Sequence, residues 1–288
     1  MANPLESGFP AELKPSLTAG AQIIPADSGG WRLEIPAGPA RRYRLAQWDD
    51  YCGLPRRRFR WGAPFHLSLE ARASSADIPG TWGFGVWNDP FGMALPGGRR
   101  GLYFPALPQS AWYFFAAPPN YLSLRDDLPA QGFLAATFRS WSGPIGLLSP
   151  GALALPLLVW PAAARLLRRL ARRFVRQSGA GLAIEPHSWH AYELFWDVEQ
   201  VRFVVDGVET YATPIVPHGP LGLVIWVDNQ YAAFTPQGRV RYGYLAASQP
   251  AWIEIRKLDV QGAGANRRLT RGVHVGKIVG LCGKKQHV

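Results

Sequence analysis

The sequence predicts an all-β sandwich carrying one amphipathic α-helical insertion, and three observations point there. Apolar residues recur at a period of two in short runs, as in "FHLSLEARA", where Phe65, Leu67, Leu69 and Ala71 interleave with His66, Ser68, Glu70 and Arg72. The chain holds 12 Trp, 10 Tyr and 14 Phe, which suit a pleated, half-buried surface. Its 31 Gly and 26 Pro supply turns where such runs end. The 288 residues are enough for one large core, so residues 1–261 are expected to form one domain, with the insertion at about 143–180. Residues 262–288, rich in Gly and Lys/Arg and without a period, read as a flexible basic tail.

In chain order, "WRLEIPAG", "RRYRLAQWDDY" and "FHLSLEARA" are the first expected strands, separated by Gly- and Pro-containing breaks. "TWGFGVW", "GLYFPA", "AWYFFAA", "YLSLR" and "FLAATFRS" follow, each short and bounded by turn residues. Alternation along "TWGFGVW" places Trp82, Phe84 and Val86 on one face and Trp87 on the other. "HAYELFW" and "VRFVVDG" flank "DVEQ" as an antiparallel hairpin, and Asp206-Gly207 turns the chain into "ETYATPI". "LGLVIWV", apolar throughout, reads as a central strand, and "RVRYGYLAA" and "AWIEIRKLDV" are expected to close the sheet.

The net charge of +11 is unevenly spread. Residues 143–180 carry Arg165, Arg168, Arg169, Arg172, Arg173 and Arg176 with no acid, and residues 262–288 carry six more cations with none. Subtracting those twelve from +11 leaves about −1 for the body, which argues against a nucleic-acid partner for a sandwich face. Cys52 and Cys282 lie far apart and suggest neither a disulfide framework nor a metal cluster. The N-terminal stretch has acids and prolines where a secretory signal has a basic start and an apolar core, so the expected location is cytoplasmic.

One segment breaks the β pattern. Residues 143–164 carry no charge, and from Arg165 to Arg176 the six arginines fall within roughly 140° of a helical wheel, opposite Leu166, Leu167, Leu170, Ala171, Phe174 and Val175. Two readings stand side by side. In one, the helix lies on an anionic membrane through its arginines, peripheral on the inner face; in the other, it packs on the sandwich or a second copy with its arginines in solvent. Prolines at 144, 150, 156 and 161 argue against a continuous transmembrane helix.

The run "WHAYELFWDVEQVRFVVDG" resembles the hairpin of family 16 glycoside hydrolases and related concanavalin A-like jelly rolls, through Trp189, His190, Tyr192, Trp196, Phe203, Val205, Asp206 and Gly207. "LSLEARASSADIPGTWGFGVW" is similar to the stretch of those enzymes in which a strand ending in an acid, Ala and Arg leads through a Gly-Trp turn to a bulky strand. The resemblance implies a concanavalin A-like jelly-roll sandwich. It does not carry over the family's Glu-x-Asp-x-x-Glu catalytic strand, because the corresponding "AWYFFAAPPNYL" has no carboxylate.

Three clusters remain as candidates for chemistry. Asp49 and Asp50 follow Trp48, Asn88 and Asp89 follow Trp87, and Asp228, Asn229, Gln230 and Tyr231 follow Trp226. If these strand ends converge, Asp49, Asp50, Asp89 and Asp228 are the candidate water-activating acids. Trp48, Trp87, Asn88, Trp226, Asn229, Gln230 and Tyr231 would then form the ligand wall, with Ca²⁺ as an optional cofactor. The competing account is that Asp and Asn at strand ends make turns and that the tryptophans are core. His66, His187, His190 and His218 have no metal-like spacing. The function expected first is a carbohydrate-active, hydrolase-like protein. The alternatives are a noncatalytic glycan or glycolipid binder at a membrane surface, and a hydrolase of an amphiphilic ester or lactone.

Overall fold

The computed structural model describes residues 13–90, 106–141 and 159–262. Sixteen strands lie among them: β1 Lys14–Thr18, β2 Gln22–Ala26, β3 Gly30–Ile35, β4 Leu45–Asp49, β5 Phe65–Ala73, β6 Thr81–Trp87, β7 Ser110–Ala116, β8 Gly132–Ser140, β9 Val175–Gly181, β10 His190–Trp196, β11 Val201–Val205, β12 Val208–Thr213, β13 Gly222–Asp228, β14 Gln230–Phe234, β15 Val240–Tyr244 and β16 Ala251–Gly262. One helix, α1 Pro161–Phe174, precedes β9. The first sheet runs β1-β4-β13-β6-β7-β8-β9 and the second β12-β11-β10-β5-β16-β3-β2, each with seven strands, while β14 and β15 form a separate pair. Every strand pairing in the three sheets is antiparallel, and several neighbours are distant in sequence, as β13 is from β4 and β6. The two seven-stranded antiparallel sheets form a β-sandwich with jelly-roll-like crossed connectivity.

The period of two explains why the sheets stack. Along β5, Phe65, Leu67, Leu69 and Ala71 are all at most 3% exposed, and the intervening residues face outward. Burying each larger side chain contributes roughly 1.5–3 kcal/mol. Trp82, Phe84 and Val86 of β6 enter the same core from the opposite sheet and are completely buried. Tyr113 of β7 crosses between the layers, its hydroxyl 2.9 Å from the carbonyl of Glu193 and 2.8 Å from that of Val204.

The expected "DVEQ" hairpin is present as β10 and β11, with Asp197 N–H donating to the Gln200 carbonyl at 2.9 Å. Several expectations are corrected. "YLSLR" is a loop that touches β14 at a single bridge, Tyr121 with Ala233. β15 does not close a main sheet, because it pairs with β14 as a separate hairpin. β16 lies between β5 and β3, with a bulge between Arg256 and Asp259, and is central. The helical insertion ends earlier than expected, since residues from Val175 continue as β9 on the edge of the first sheet. β1 and β2 precede every strand the period suggested. Most of "GLYFPA", the apolar segment before Val159, Cys282 and nearly all of the basic tail fall outside the described residues, whereas Cys52 is buried.

Candidate functional site

The first sheet has a second apolar layer on its outer side. Alternation along β4, β13, β6, β7 and β8 points Gln47 and Asp49, Val224 and Trp226, Gly83, Gly85 and Trp87, Trp112 and Phe114, and Leu134, Ala136 and Phe138 away from the core. Their register builds a floor. Trp226 lies across from Gly83, which is followed by Phe114 and Leu134; Asp49 lies across from Val224, followed by Gly85, Trp112 and Ala136.

Three indoles meet on this floor. Trp112 is 5.7 Å from Trp87 and 5.5 Å from Trp226 between ring centroids, and Trp87 and Trp226 lie parallel within 8° at 6.4 Å. Phe114 and Phe138 extend the platform, 5.5 and 6.4 Å from Trp112. The glycines of "TWGFGVW" make room for it. A Cβ on Gly83 would lie 2.8 Å from Trp226 Cη2 and 2.3 Å from the Tyr113 carbonyl, so only a bare backbone passes there. Trp226 and Phe114 are buried, whereas Trp87, Trp112 and Phe138 are half-buried.

A largely buried polar network runs beside the indoles, with Gln47 half-buried at its edge. Gln47 Nε2 donates to Asp49 Oδ2 at 2.9 Å and lies 3.3 Å from the Tyr51 hydroxyl, which also accepts Trp87 Nε1 at 2.5 Å. Asp49 Oδ1 accepts the Tyr51 N–H at 3.2 Å. At the other end, Trp226 Nε1 donates to Thr81 Oγ1 at 3.0 Å, and Thr81 Oγ1 donates to Asp228 Oδ1 at 2.8 Å. Asp228 Oδ1 also accepts the N–H groups of Thr81 and Gln230, and Oδ2 accepts the Tyr43 hydroxyl at 3.3 Å. Burial raises the Asp228 carboxyl to about 7, against the lowering effect of these donors.

The four candidate acids are not brought together. Asp228 pairs with Leu45, and Asp49 stands four residues farther along β4, so their backbones are about 13 Å apart at strand rise, and both side chains are buried. Retaining and inverting glycosidases separate their carboxyl groups by roughly 5–9.5 Å. Asp50 takes the face opposite Asp49, where its carboxylate accepts Trp61 Nε1 at 2.5 Å and the Leu223 N–H at 2.9 Å; burial raises it to about 6. Asp89 occupies a left-handed turn (φ 44°), where its carbonyl accepts Arg56 Nη2 at 2.6 Å.

The candidate ligand wall divides in the same way. Trp87 and Trp226 are on the floor, but Trp48 points to the opposite side of β4 and packs edge-on against Trp31 at 5.3 Å. Asn88 ties the β6 exit to the approach of β7, donating to the Leu107 carbonyl and accepting the Gln109 N–H. Asn229 is fully buried; it accepts the Arg44 N–H and donates to the carbonyls of Arg42 and Leu245. Gln230 and Tyr231 belong to β14, beyond the floor. The sequence reasoning missed Gln47, Tyr51, Trp112, Phe114 and Phe138. Alternation in "AWYFFAA", applied in step with "TWGFGVW", would have exposed Trp112 and Phe114. Among the described residues, no group of three or more His, Cys, Asp or Glu is placed to hold a metal ion, Ca²⁺ included.

The arginines of α1 also divide. Arg168 is 2% exposed, and its guanidinium donates to the carbonyls of Ser123 (2.8 Å), Arg125 (3.1 Å) and Phe234 (2.6 Å) and to Asp126 Oδ1 (3.1 Å). Arg172 donates to the Leu124 carbonyl at 2.6 Å and pairs with Asp126. These two residues fasten the helix to the sandwich; burial removes Arg168 from the expected membrane contacts, whereas Arg172 is exposed. Arg165, Arg169, Arg173 and Arg176 are exposed.

No family model and no curated protein matches the chain. Among solved structures, it is similar to a family 16 glycoside hydrolase of the Bacteroides ovatus mixed linkage glucan locus in complex with a product, at 10% identity and a TM-score of 0.47, over 88% of this chain and 97% of that one. It is similar to alginate lyase A1-II′ at 9% identity and a TM-score of 0.47, over 90% and 98%. It is also similar to the carbohydrate recognition domain of Emp47p at 10% identity and a TM-score of 0.43, over 90% and 92%.

Proposed function

We propose that the chain binds a carbohydrate along the outer groove of its first sheet and does not hydrolyse it. The observation that carries this reading is the platform of Trp87, Trp112 and Trp226 with Gln47 and Asp49 at its side. Indole faces cover the apolar faces of sugar rings, while the half-buried amide of Gln47, oriented by buried Asp49, bonds their hydroxyls. Hydrolysis is less well supported, because the two carboxylates on this side of the sheet, Asp49 and Asp228, are both buried and their backbones stand about 13 Å apart.

The test is calorimetric titration of the full chain with soluble β-glucan, mannan and alginate fragments, with released reducing ends assayed in parallel. The expected result is saturable binding to one glycan class, weakened in Trp112→Ala, with no new reducing ends. Failure to bind any of the panel, or turnover that disappears in Asp49→Asn or Asp228→Asn, would overturn the proposal.

A further inference from the structure

We infer that α1 docks this protein on an anionic lipid bilayer through its outward apolar stripe, flanked by arginines. The inference is independent of the groove. At 100° per residue the helix divides into three stripes, each repeating every four residues. Ala164 and Arg168 face the sandwich and are buried. Leu166, Leu170 and Phe174 span about 80° of arc on the far side and are 57%, 38% and 39% exposed. Arg165, Arg169 and Arg173 span a similar arc beside them and are exposed.

The clamp fixes this orientation. Arg168 is held by three carbonyls and Asp126, and Arg165 Nη1 reaches the Gln237 carbonyl of the β14–β15 turn at 3.2 Å. The helix cannot roll its leucines inward without releasing a buried guanidinium. The apolar patch continues past both helix ends. Trp160, just before α1, is 64% exposed, and Trp141, 43% exposed, lies 6.3 Å from the Phe174 ring.

Charge complementarity selects the occupant. The helix contains five arginines and no acid, and Arg176 follows it. An apolar stripe bordered by arginines and ended by tryptophans matches an interfacial helix seated at the headgroup boundary of an anionic leaflet. No helix among the described residues is long and apolar enough to cross a membrane.

The full chain is mixed with phosphatidylcholine vesicles and with vesicles containing phosphatidylglycerol, and flotation measures the bound fraction. We expect binding to the anionic vesicles that weakens as salt rises. Leu166→Glu with Leu170→Glu removes binding, and Arg169→Glu with Arg173→Glu weakens it by at least about fivefold per arginine. These positions are exposed, so circular dichroism and melting should match the parent. No flotation with anionic vesicles would overturn the inference. So would undiminished binding of the leucine variant, or sedimentation showing that the stripe is occupied by a second copy and is unavailable to lipid.

Discussion

Arg168 of α1 and Asp126 of the loop before β8 are joined at 3.1 Å, and the same guanidinium fills a ring of three backbone carbonyls. One side chain therefore connects the helix, the 121–127 loop and the β14–β15 hairpin. Arg168→Ala leaves those carbonyls without a buried donor and is expected to cost the docked helix about 3 kcal/mol. Amide hydrogen exchange across Pro161–Phe174 should quicken by roughly a hundredfold while β6 and β13 stay protected. Arg169→Ala, on the exposed stripe, should change neither. Equal exchange in both variants would mean that the helix is held by other contacts.

Asp228 and Asp50 give the fold a pH dependence of defined sign. Burial raises them to about 7 and about 6, above the unfolded value near 4, so both hold a proton more tightly when folded. Their contribution to stability is fully present below about pH 4 and declines as the pH rises through 6 to 7. Asp228→Asn keeps an oxygen for Thr81 and Gln230 and offers an amide to the Tyr43 oxygen. Denaturant titration should find it more stable than the parent by ~2 kcal/mol at pH 8 and nearly equal at pH 4. A constant difference at both pH values would show that Asp228 is already charged throughout.

Glu254 behaves in the opposite sense. Burial would raise its carboxyl, but hydrogen bonds from Arg32 at 2.6 Å and Arg72 at 2.9 Å outweigh that and hold it below its ordinary value. Its stabilisation is present above the unfolded value near 4 and is lost as the pH falls through the lower folded value. Glu254→Ala leaves Arg32 and Arg72 facing each other over Trp252 and should cost about 3 kcal/mol at pH 7, with less of that cost at pH 3. A penalty independent of pH would assign the loss to packing.

The strand pattern was legible where burial follows it directly, as in "FHLSLEARA"; "TWGFGVW" is buried on both faces as far as Val86, and only its pairing separates the core side from the floor side. The site was legible in part. Asp49-Asp50, Asn88-Asp89 and Asp228-Asn229 looked like paired functional groups, yet neighbours on a strand face opposite sides, so at most one of each pair can enter a groove. Trp48 and Trp87 look equivalent by composition, and only the side of the strand separates core from floor. The partner of β15 and the central place of β16 depend on pairings across tens to hundreds of residues, which local periodicity does not encode.

Gly83 links the fold to the groove. Its backbone passes beneath Trp226 with no room for a methyl group, which would stand 2.3 Å from the Tyr113 carbonyl. Gly83→Ala forces β6 away from β7 or displaces the indole, and should cost about 1–3 kcal/mol in denaturant titrations. The same variant should weaken glycan binding, whereas Gly62→Ala, where an added Cβ meets nothing within 4 Å, should preserve both properties. A Gly83→Ala protein of parental stability and affinity would mean that the strand pair absorbs the methyl.

Trp112 gives the sharpest test of the platform. It touches Trp87, Trp226, Phe114 and Phe138, which puts it at the centre of the floor, and it is half-buried. Trp112→Ala should lower glycan affinity by about 2 kcal/mol, roughly thirtyfold, with the melting temperature reduced by only a few degrees. Trp112→Phe retains an aromatic face and should recover most of the affinity. Asp49→Asn changes a buried carboxylate that orients Gln47 and should weaken binding less than Trp112→Ala, because the amide keeps an oxygen to accept from Gln47 or Tyr51. If Asp49→Asn were the more damaging change, the groove would be recognising a cation or amine, and stacking would not be the source of affinity.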